Sequence, residues 1–325
     1  QEFLVSLRIS LFAVDEAHCI SEWGHEFRPD YRELSLLRKN FPGVPIAAFT
    51  ATATTHVQKD IIRLLKLNGP YIVRAGFNRP ELRYRVSPKT SAEQQVLDFI
   101  KDRGKVPGIV YRATRKDVEK TAAFLRAEGI PAAPYHAGLS AEDRRRNQEG
   151  FKEDTIEVIV ATIAFGMGID KSNIRYVIHA DLPRSIEGYY QETGRAGRDG
   201  DTAECLLLYS RGDLAKIRYH IDRMRKEAEK RKALLNMEKM SAFARTYTCR
   251  RVSLLSHFDE PFTPPCGNCD VCLGTVERRD VTEDARKILS AIYRTGQRYG
   301  ASYISDIVTG TDTERIIRNR HDEIP

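Results

Sequence analysis

The sequence has 325 residues, of which 41% are hydrophobic and 30% are charged, a composition ordinary for a folded protein with two or three domains. It contains no long apolar run and opens without a basic-then-apolar leader, so neither a transmembrane helix nor a secretion signal is expected. The formal net charge is +7, which favours a polyanionic partner such as nucleic acid but does not by itself establish one.

Short apolar runs alternate with helix-like stretches along the chain as far as Tyr209. The runs are rich in Val, Ile, Leu and Ala and lack polar alternation, as in strands buried on both faces of a parallel sheet. Between them, residues 116–128 place Val118, Ala122 and Leu125 on one helical face. The alternation predicts an α/β fold in which loops at the carboxyl ends of the strands carry the chemistry. The predicted strands are residues 9–14, 45–49, 71–75, 108–111, 158–161, 175–180 and 205–209.

Changes of pattern divide the chain into four predicted regions. One boundary falls near residues 78–80 and another near 210–213, after which the sequence becomes helical and basic from Lys216 to Arg245. A cluster of cysteines follows, and after Arg279 an amphipathic helix opens a segment that looks like an incomplete small domain. The expected regions are residues 1–77, 78–210, 211–276 and 277–325.

The strongest local signal is Asp15-Glu16-Ala17-His18, which directly follows an apolar run. Two carboxylates at the end of a strand suit metal-assisted phosphoryl transfer, in which Asp15 holds Mg²⁺ and Glu16 orients and deprotonates the attacking water. An ordinary acidic turn is the alternative for the pair taken alone. The motifs that follow in order favour the catalytic interpretation, and we assign His18 to the same site.

The segment FTATA, residues 49–53, follows the next apolar run. The small hydroxyl groups of Thr50 and Thr52 can bond a neighbouring carboxylate and relay its state, so both are candidates for the nucleotide site. A helix cap formed by Thr54 or Thr55 is the alternative use of hydroxyl residues at this place.

Two arginines stand three residues apart in the segment QETGRAGR. Arg195 and Arg198 share a helix face or a loop edge, and guanidinium groups stabilise phosphate charge as arginine fingers do. A solvated basic loop is the alternative. Upstream, residues 166–170 form a glycine-rich loop at a strand end, in which Gly168 and Asp170 are candidates for nucleotide contact.

Trp23, the only tryptophan of the sequence, lies in a segment that also contains His25, Phe27 and Arg28. Aromatic side chains beside a cation can stack on and clamp unstacked bases whatever their sequence. The alternative is that Trp23 and Phe27 pack beneath the loop. The residues alone leave both interpretations open.

Cys249, Cys266, Cys269 and Cys272 form a C-x16-C-x2-C-x2-C pattern. In a chain without a secretion signal, this spacing predicts thiolates converging on one tetrahedral Zn²⁺ rather than disulfides. Such a zinc ion would be structural, because its ligands leave no open position for water. Free buried thiols and a redox pair are the alternatives. The two remaining cysteines are expected to be small core residues.

Four segments occur in the order in which superfamily 2 helicases carry motifs II, III, V and VI, and the extended first segment resembles the RecQ family specifically. They are VDEAHCISEWGHEFRPDY, AFTATAT, ATIAFGMGIDKSNIRYVIH and QETGRAGRDG. The cysteine pattern is similar to the RecQ zinc-binding domain, and the tail from Val281 resembles the start of the RecQ winged-helix domain. The resemblance covers nearly the whole chain.

The resemblance implies two RecA-like parallel-sheet lobes, the first incomplete, followed by a helical zinc-binding subdomain and a partial winged helix. ATP and Mg²⁺ would be clamped between the lobes, with Gln191 contacting the γ-phosphate and Arg195 and Arg198 acting as finger residues. The segment around Trp23 is similar to the aromatic-rich loop that couples single-stranded DNA binding to hydrolysis in this family.

The resemblance further implies an ATP-dependent DNA helicase that moves 3′ to 5′ and acts in recombination and repair. Its expected partners are single-stranded DNA and duplex junctions, with a single-stranded-DNA-binding protein or other repair proteins as further candidates, and no membrane. The expected location is the cytoplasm, with the nucleoid, in a bacterium and the nucleus in a eukaryote. The basic stretch from Lys216 to Arg245, with Arg250 and Arg251, is either a solvated face or a track for duplex phosphates.

A phosphate-binding loop of the pattern G-x-x-x-x-G-K-[ST] is absent from the sequence. In the resembled family this loop precedes the DEAH strand, and the first residues do not look like a natural start, so we expect a chain truncated upstream. The longer protein should hydrolyse ATP, whereas residues 1–325 alone should bind nucleotide poorly and be inactive.

Two rival functions stay open. An RNA helicase of the DExH type would share the motor motifs, although the Trp23 segment and the cysteine cluster argue against it. Comparing DNA with RNA as stimulators of ATP hydrolysis separates the two. The other rival is a non-hydrolysing DNA-binding or annealing module with a decayed motor, against which the intact Asp15, Glu16, Arg195 and Arg198 argue.

Overall fold

The computed structural model describes residues 6–22, 24, 27–166, 170–276 and 280–324. The chain divides into two compact units, Gln1–Thr275 and Val276–Pro325, and the first of them contains both β-sheets. Within the described ranges, every helix is too short or too polar to cross a membrane.

The first lobe contains a small sheet of two parallel strands, so the loops that follow both strands leave the same edge. Its elements in chain order are β1 (Phe12–Val14), the 3₁₀ helices Ala17–Ile20 and Pro29–Leu34, α1 (Ser35–Asn40), β2 (Ile46–Ala48) and α2 (Thr55–Leu64). Thr54 caps α2 by accepting a hydrogen bond from the Val57 amide, one of the two caps considered above. The buried core consists of Val14, Ala17, Ile20, Ala53, Val57, Ile61 and Leu65.

The second lobe is built on a six-stranded sheet whose strands all run parallel, in the order β3-β8-β7-β4-β6-β5. The strands are β3 (Leu82–Pro88), β4 (Gly108–Tyr111), β5 (Ala132–Tyr135), β6 (Val158–Ala161), β7 (Tyr176–His179) and β8 (Ala203–Tyr209). The helices are α3 (Ala92–Lys101), α4 (Arg115–Ala127), α5 (Ala141–Lys152) and α6 (Ile186–Thr193). Strands β4, β6 and β7 are buried along their whole length, which confirms the predicted parallel α/β architecture.

The predicted strand at residues 71–75 is wrong. Tyr71 and Val73 are 93% and 76% exposed. In the described part of the chain no strand runs beside them, so this apolar segment does not join a sheet. Sequence patterning also misses β3 and β5. Polar residues interrupt the apolar ones along β3, an edge strand, and β5 contains alanines and Pro134, which have low strand propensity.

Three helices follow the second lobe: α7 (Arg211–Asp222), α8 (Glu227–Arg245) and α9 (Arg250–Ser256). The basic stretch predicted as one helix is therefore interrupted at residues 223–226. Met240 and Phe243 of α8 enter the same buried cluster as Tyr84 of β3, so the apolar face of α8 fixes this helix to the second lobe. Cys205, one of the two cysteines outside the zinc pattern, also belongs to this cluster, as predicted.

A buried ion pair holds the cysteine-rich loop against β3. Arg250 and Asp270, each 3% exposed, are joined by two hydrogen bonds, 2.8 Å from Nε to Oδ1 and 2.9 Å from Nη2 to Oδ2. Asp270 also accepts the Val86 amide of β3 at 2.9 Å. Arg251, likewise buried, donates to the Leu82 carbonyl at 2.7 Å. Neither arginine can belong to the phosphate track considered for them, because both are buried and bonded within the protein.

The unit Val276–Pro325 is helical in its described residues. It contains α10 (Thr282–Arg294), α11 (Ala301–Val308) and α12 (Glu314–Arg318). The amphipathic helix predicted in this region is present as α10, but Leu289 and Tyr293 on its apolar face are 64% and 77% exposed. The Tyr303 hydroxyl lies 2.8 Å from His321 Nδ1, which ties α11 to the end of the unit.

Replacing Arg250 with Met leaves the Asp270 carboxylate buried without its cation. We expect the free energy of unfolding to fall by about 3–5 kcal/mol, because removing one partner of a buried pair strands the other charge. Urea denaturation followed by circular dichroism measures the loss. The matched control is Arg146→Met, which breaks an exposed pair with Asp143 and should leave the free energy of unfolding close to the wild-type value. Equal losses for the two variants would contradict a structural role for the buried pair.

Candidate nucleotide site and metal centre

Asp15 and Glu16 begin the loop that leaves β1 at the carboxyl edge of the small sheet. Asp15 is exposed, whereas the Glu16 side chain is 30% exposed and its backbone, with φ 48° and ψ 40°, is left-handed. This conformation costs a residue other than glycine about 1–2 kcal/mol. The Glu16 amide donates to Asp15 Oδ1 at 2.8 Å, so the turn links the two residues directly. Backbone strain of this kind collects at functional sites.

His18 joins the loops that follow the two strands of the first lobe. The residue is 1% exposed, and its Nδ1 lies 3.0 Å from Thr50 Oγ1 and 3.3 Å from Glu16 Oε2. The Thr52 amide donates to Thr50 Oγ1 at 3.4 Å, which helps to position the hydroxyl. Thr50 is therefore linked to the acidic pair through the imidazole ring of His18.

Helix α6 of the second lobe faces the acidic pair. Gln191 donates from Nε2 to Glu16 Oε1 at 3.5 Å, the long limit of a hydrogen bond, across 175 positions of sequence. A second bond between distant parts of the chain runs from the Thr55 amide to Asp259 Oδ2 at 3.3 Å. The contact between Gln191 and Glu16 brings together the acidic pair and the helix that precedes the arginines, the two motifs that a nucleotide-binding cleft would need.

Arg195 and Arg198 follow α6. Arg195 is 8% exposed and donates from Nη1 to the Gly166 carbonyl, in the loop after β6, at 2.5 Å. Burial and the positive charge of Arg195 lower the pKa of the Arg198 guanidinium, and the Asp170 carboxylate opposes this shift. An anion would stabilise two guanidinium groups held this way, so the loop suits phosphate. Gly168 lies outside the described residues.

Arg79 is a residue of this site that sequence reasoning missed. Its guanidinium donates to the carbonyls of Gly194, Ala196 and Gly197 at 3.3, 3.1 and 3.3 Å, and it pairs with Glu81. Gly197 has φ 62°, and an added Cβ would come within 2.9 Å of a backbone oxygen, so this turn requires glycine. Nothing in the sequence marks Arg79, because these partners lie 115 to 118 positions away.

The aromatic segment is described only in part, because Trp23 and His25 lie outside the described residues. Phe27 and Arg28 are both partly buried. The Arg28 amide donates to the Cys19 carbonyl at 2.9 Å, which fixes the place where the segment returns to the first lobe. Cys19 itself is fully buried, in agreement with its prediction as a core residue.

The start of the same segment is anchored by Ser21, whose hydroxyl donates to Asp60 Oδ2 of α2 at 2.7 Å. Burial raises the pKa of Asp60, but hydrogen bonds from Arg63 and Ser21 outweigh it and hold the pKa below its usual value. Asp60 therefore stays a charged acceptor at neutral pH, and both ends of the segment are fixed to the first lobe.

The predicted zinc ligands converge in space. The sulfur atoms of Cys249, Cys266, Cys269 and Cys272 all lie within 4.8 Å of one another. A tetrahedral Zn²⁺ with bonds of about 2.3 Å separates its sulfur ligands by about 3.8 Å, so the cluster fits this ion. Burial raises the pKa of Cys249, but amide hydrogen bonds, led by that of Val252, bring the pKa down to about 7. Burial raises the pKa of Cys266 and Cys272, so all four sulfur atoms become thiolates only when a cation such as Zn²⁺ lies among them.

The metal cluster is attached to the edge of the large sheet. Cys269 forms an isolated parallel bridge with Tyr84 of β3, and the Asp270 amide donates to the Tyr84 carbonyl at 3.0 Å. The Asn268 side chain donates from Nδ2 to the Pro80 carbonyl at 2.9 Å. The loop between the last three cysteines therefore covers an edge strand that would otherwise present unpaired backbone groups.

Comparison with protein families finds three consecutive matches. The helicase conserved C-terminal domain matches residues 91–200, the RecQ zinc-binding family matches residues 211–273, and the RQC domain matches residues 275–325. The second match includes all four cysteines of the cluster. The metal-binding geometry and the family match thus support Zn²⁺ independently.

Relatives match the chain along nearly its full length. The ATP-dependent DNA helicase RecQ of Pasteurella multocida is 43% identical over 98% of this chain and 50% of its own length. The protein of the same name from Bacillus subtilis is 38% identical over 97% of this chain and 54% of its own length. The ATP-dependent helicase SGS1 of Saccharomyces cerevisiae is 40% identical over 98% of this chain and 23% of its own length. The chain spans about half the length of the bacterial relatives.

Among solved structures, Dbp5 of S. cerevisiae bound to RNA and ADP BeF3 is similar in fold. The TM-score is 0.54 with 16% sequence identity, and the match covers 74% of this chain and 66% of the other. At this level of identity the match supports the RecA-like helicase fold and nothing further.

Replacing Cys269 with Ser removes one thiolate from the cluster. We expect bound zinc to fall from about one ion per chain to nearly none, because three thiolates no longer close the tetrahedral shell. Thermal stability should fall as well, since the metal binds the folded state. Atomic absorption and thermal denaturation, with and without a chelator, measure both effects. Cys205→Ala, which changes a buried cysteine outside the cluster, should keep its zinc, and full zinc content in the Cys269 variant would refute the site.

Proposed function

We propose, because this chain belongs to the RecQ helicase family, that the protein is an ATP-dependent DNA helicase that moves 3′ to 5′ on single-stranded DNA. The observation that carries the proposal is the contact of Gln191 in the second lobe with Glu16 in the first, which brings the acidic pair to the helix that precedes the arginine loop. Carboxylates at the end of a strand in one lobe and guanidinium groups on a loop of the other are the groups that nucleotide hydrolysis between two lobes needs.

The first lobe provides the groups that act on metal and water. When bound, ATP with Mg²⁺ supplies the scissile phosphate bond. Asp15, exposed at the strand end, would hold the metal ion, and Glu16 would accept a proton from the water that attacks the γ-phosphate. His18 contacts Glu16 and Thr50 together, so it orients the base and connects it to the end of β2.

The second lobe provides charge stabilisation. Arg195 and Arg198 approach the transferred phosphate and stabilise the charge that develops on its oxygens. Arg195 is already held by the Gly166 carbonyl, so little rotamer freedom is lost when phosphate enters. Gln191 contacts the γ-phosphate from α6, and Arg79 acts behind the loop as a positioning residue, because it bonds the loop carbonyls.

The nucleic acid is proposed to contact two surfaces. Single-stranded DNA lies against the aromatic segment, where Trp23 and Phe27 stack on bases and His25 and Arg28 add polar contacts. Duplex phosphates lie along α7 and the turn after it, without base readout. The exposed basic side chains of this surface are Arg211, Lys216, Arg218, Arg223, Arg225 and Lys226.

The remaining parts of the proposal concern the cellular role. The zinc ion is structural, because four thiolates fill its coordination shell. The substrates are duplex junctions that arise in recombination and repair, and a single-stranded-DNA-binding protein is a candidate partner. Opening and closing of the two lobes around the nucleotide moves single-stranded DNA across both lobes.

Glu16→Gln in the full-length protein keeps the shape of the side chain and removes the base. We expect ATP turnover to fall by about 10²-fold or more, whereas single-stranded DNA affinity stays at the wild-type value. Phosphate release and fluorescence anisotropy of a labelled oligonucleotide measure the two quantities. Glu33→Gln, at an exposed position of the same lobe, is the matched control and should change neither. Wild-type turnover in the Glu16 variant would reject the assignment of the base.

Arg79→Met in the same protein frees the loop that carries both arginines. We expect kcat to fall about tenfold with little change in KM for ATP, because the interactions lost are made in the transition state. Arg79→Lys should recover part of the rate, since an ammonium group can still bond one carbonyl. Arg83→Met, whose distance to Glu204 is 3.9 Å, is the control. A rise in KM at constant kcat would contradict a positioning role.

A further inference from the structure

Lys232 of helix α8 makes an unusual pair of contacts. Its ammonium group donates to the backbone carbonyls of Glu22 and Gly24, both at 2.5 Å. These carbonyls flank position 23, so one side chain binds the chain on both sides of the only tryptophan in the sequence. The bonds join residues 210 and 208 positions apart, and they link the zinc-binding subdomain to the first lobe.

Two neighbouring lysines are differently placed. Lys226 pairs with Glu229, and Lys230 lies 3.6 Å from Asp222, so both ammonium groups are paired near the surface. Lys232 is half-buried, and this burial lowers the pKa of its ammonium group. A lysine stem can pack along apolar surface and leave its charge in water, but here the charge points inward to two carbonyls. The arrangement therefore differs from a solvated basic face.

The charge of a carboxylate on α6 also acts on Lys232. The Glu187 carboxylate is the leading charge that opposes the pKa shift of Lys232. Burial raises the pKa of Glu187, but its hydrogen bond with His257, 2.7 Å long, outweighs this and holds the pKa at about 2, so the carboxylate is charged. Glu187 lies in the first turn of α6, the helix that also carries Gln191.

Two bridges thus reach the same stretch of the first lobe. Gln191 contacts Glu16, and Lys232 contacts the carbonyls of Glu22 and Gly24. Helix α6 belongs to the second lobe, and α8 is packed on that lobe through Phe243. Movement of the second lobe relative to the first would therefore strain both bridges together, one at the acidic pair and the other at the aromatic segment.

We propose that Lys232 is a positioning residue that holds the aromatic segment against α8 and so couples nucleic-acid contact at this segment to hydrolysis at Glu16. The role of Lys232 in holding the aromatic segment does not depend on the proposed function. The coupling of this segment to hydrolysis at Glu16 rests on the proposed function. A solvated lysine would have no effect on either property.

Fluorescence of Trp23 tests the first half of the proposal directly, because the sequence contains no other tryptophan. In Lys232→Met, we expect acrylamide quenching of this residue to increase, since the flanking carbonyls lose their cation. Lys232→Arg should restore quenching toward the wild-type value, because a guanidinium group can also donate to two carbonyls. Lys239→Met, at an exposed position of the same helix, is the control. Unchanged quenching in Lys232→Met, or an equal change in the control, would overturn the proposal.

DNA-stimulated hydrolysis by the full-length protein tests the second half. In Lys232→Met, the concentration of an oligothymidylate that gives half-maximal stimulation should rise about tenfold, the size of effect expected for losing hydrogen bonds to a charged group. Increased quenching with an unchanged half-maximal concentration would overturn the coupling. If the wild-type protein showed no DNA-stimulated hydrolysis, the proposed function would fail, and the quenching result would still decide the role of Lys232 because it needs neither ATP nor DNA.

Discussion

The buried bond between Arg250 and Asp270 is the interaction on which the arrangement of the second lobe and the zinc-binding subdomain depends. The Asp270 carboxylate receives the guanidinium group and the Val86 amide at once, so α9, the metal loop and the edge strand β3 meet at one charged centre. Two ions removed from water are stable only when their partners are complete, and here the hydrogen bonds complete them. The metal loop can therefore cover the sheet edge, and α8 is held where it reaches the first lobe.

The proposed nucleotide site and the proposed nucleic-acid contact are linked because the second lobe reaches each of them through one helix. Helix α6 carries Gln191 toward Glu16, and the loop after it carries the arginines, which Arg79 holds from the opposite side. Helix α8 reaches the aromatic segment through Lys232. Since both helices are fixed to the second lobe, the two sites cannot respond independently to a change in lobe position.

The sequence predicts those parts of the molecule that local patterns determine. Strands β4 and β6 are uniformly apolar and were located at their observed bounds, and Asp15 and Thr50 are identifiable because they follow apolar runs. Arg79 and Lys232 could not be found from the sequence. Both act by donating hydrogen bonds to carbonyl groups that lie more than a hundred positions away along the chain. Arg250 was misassigned for a different reason: its partner Asp270 lies only 20 positions away, but their charges suggested a surface role and the sequence does not reveal that the fold buries both.

The left-handed backbone at Glu16 sets a trade-off between stability and activity. Glycine would relieve a conformational cost of about 1–2 kcal/mol at this position, but it would also delete the carboxylate to which hydrolysis is assigned. Aspartate tolerates the left-handed region better and keeps a carboxylate, but its side chain is one methylene shorter and would withdraw the base from His18 and Gln191. Directed evolution for heat resistance should therefore favour glycine at position 16 only when selection for turnover is absent.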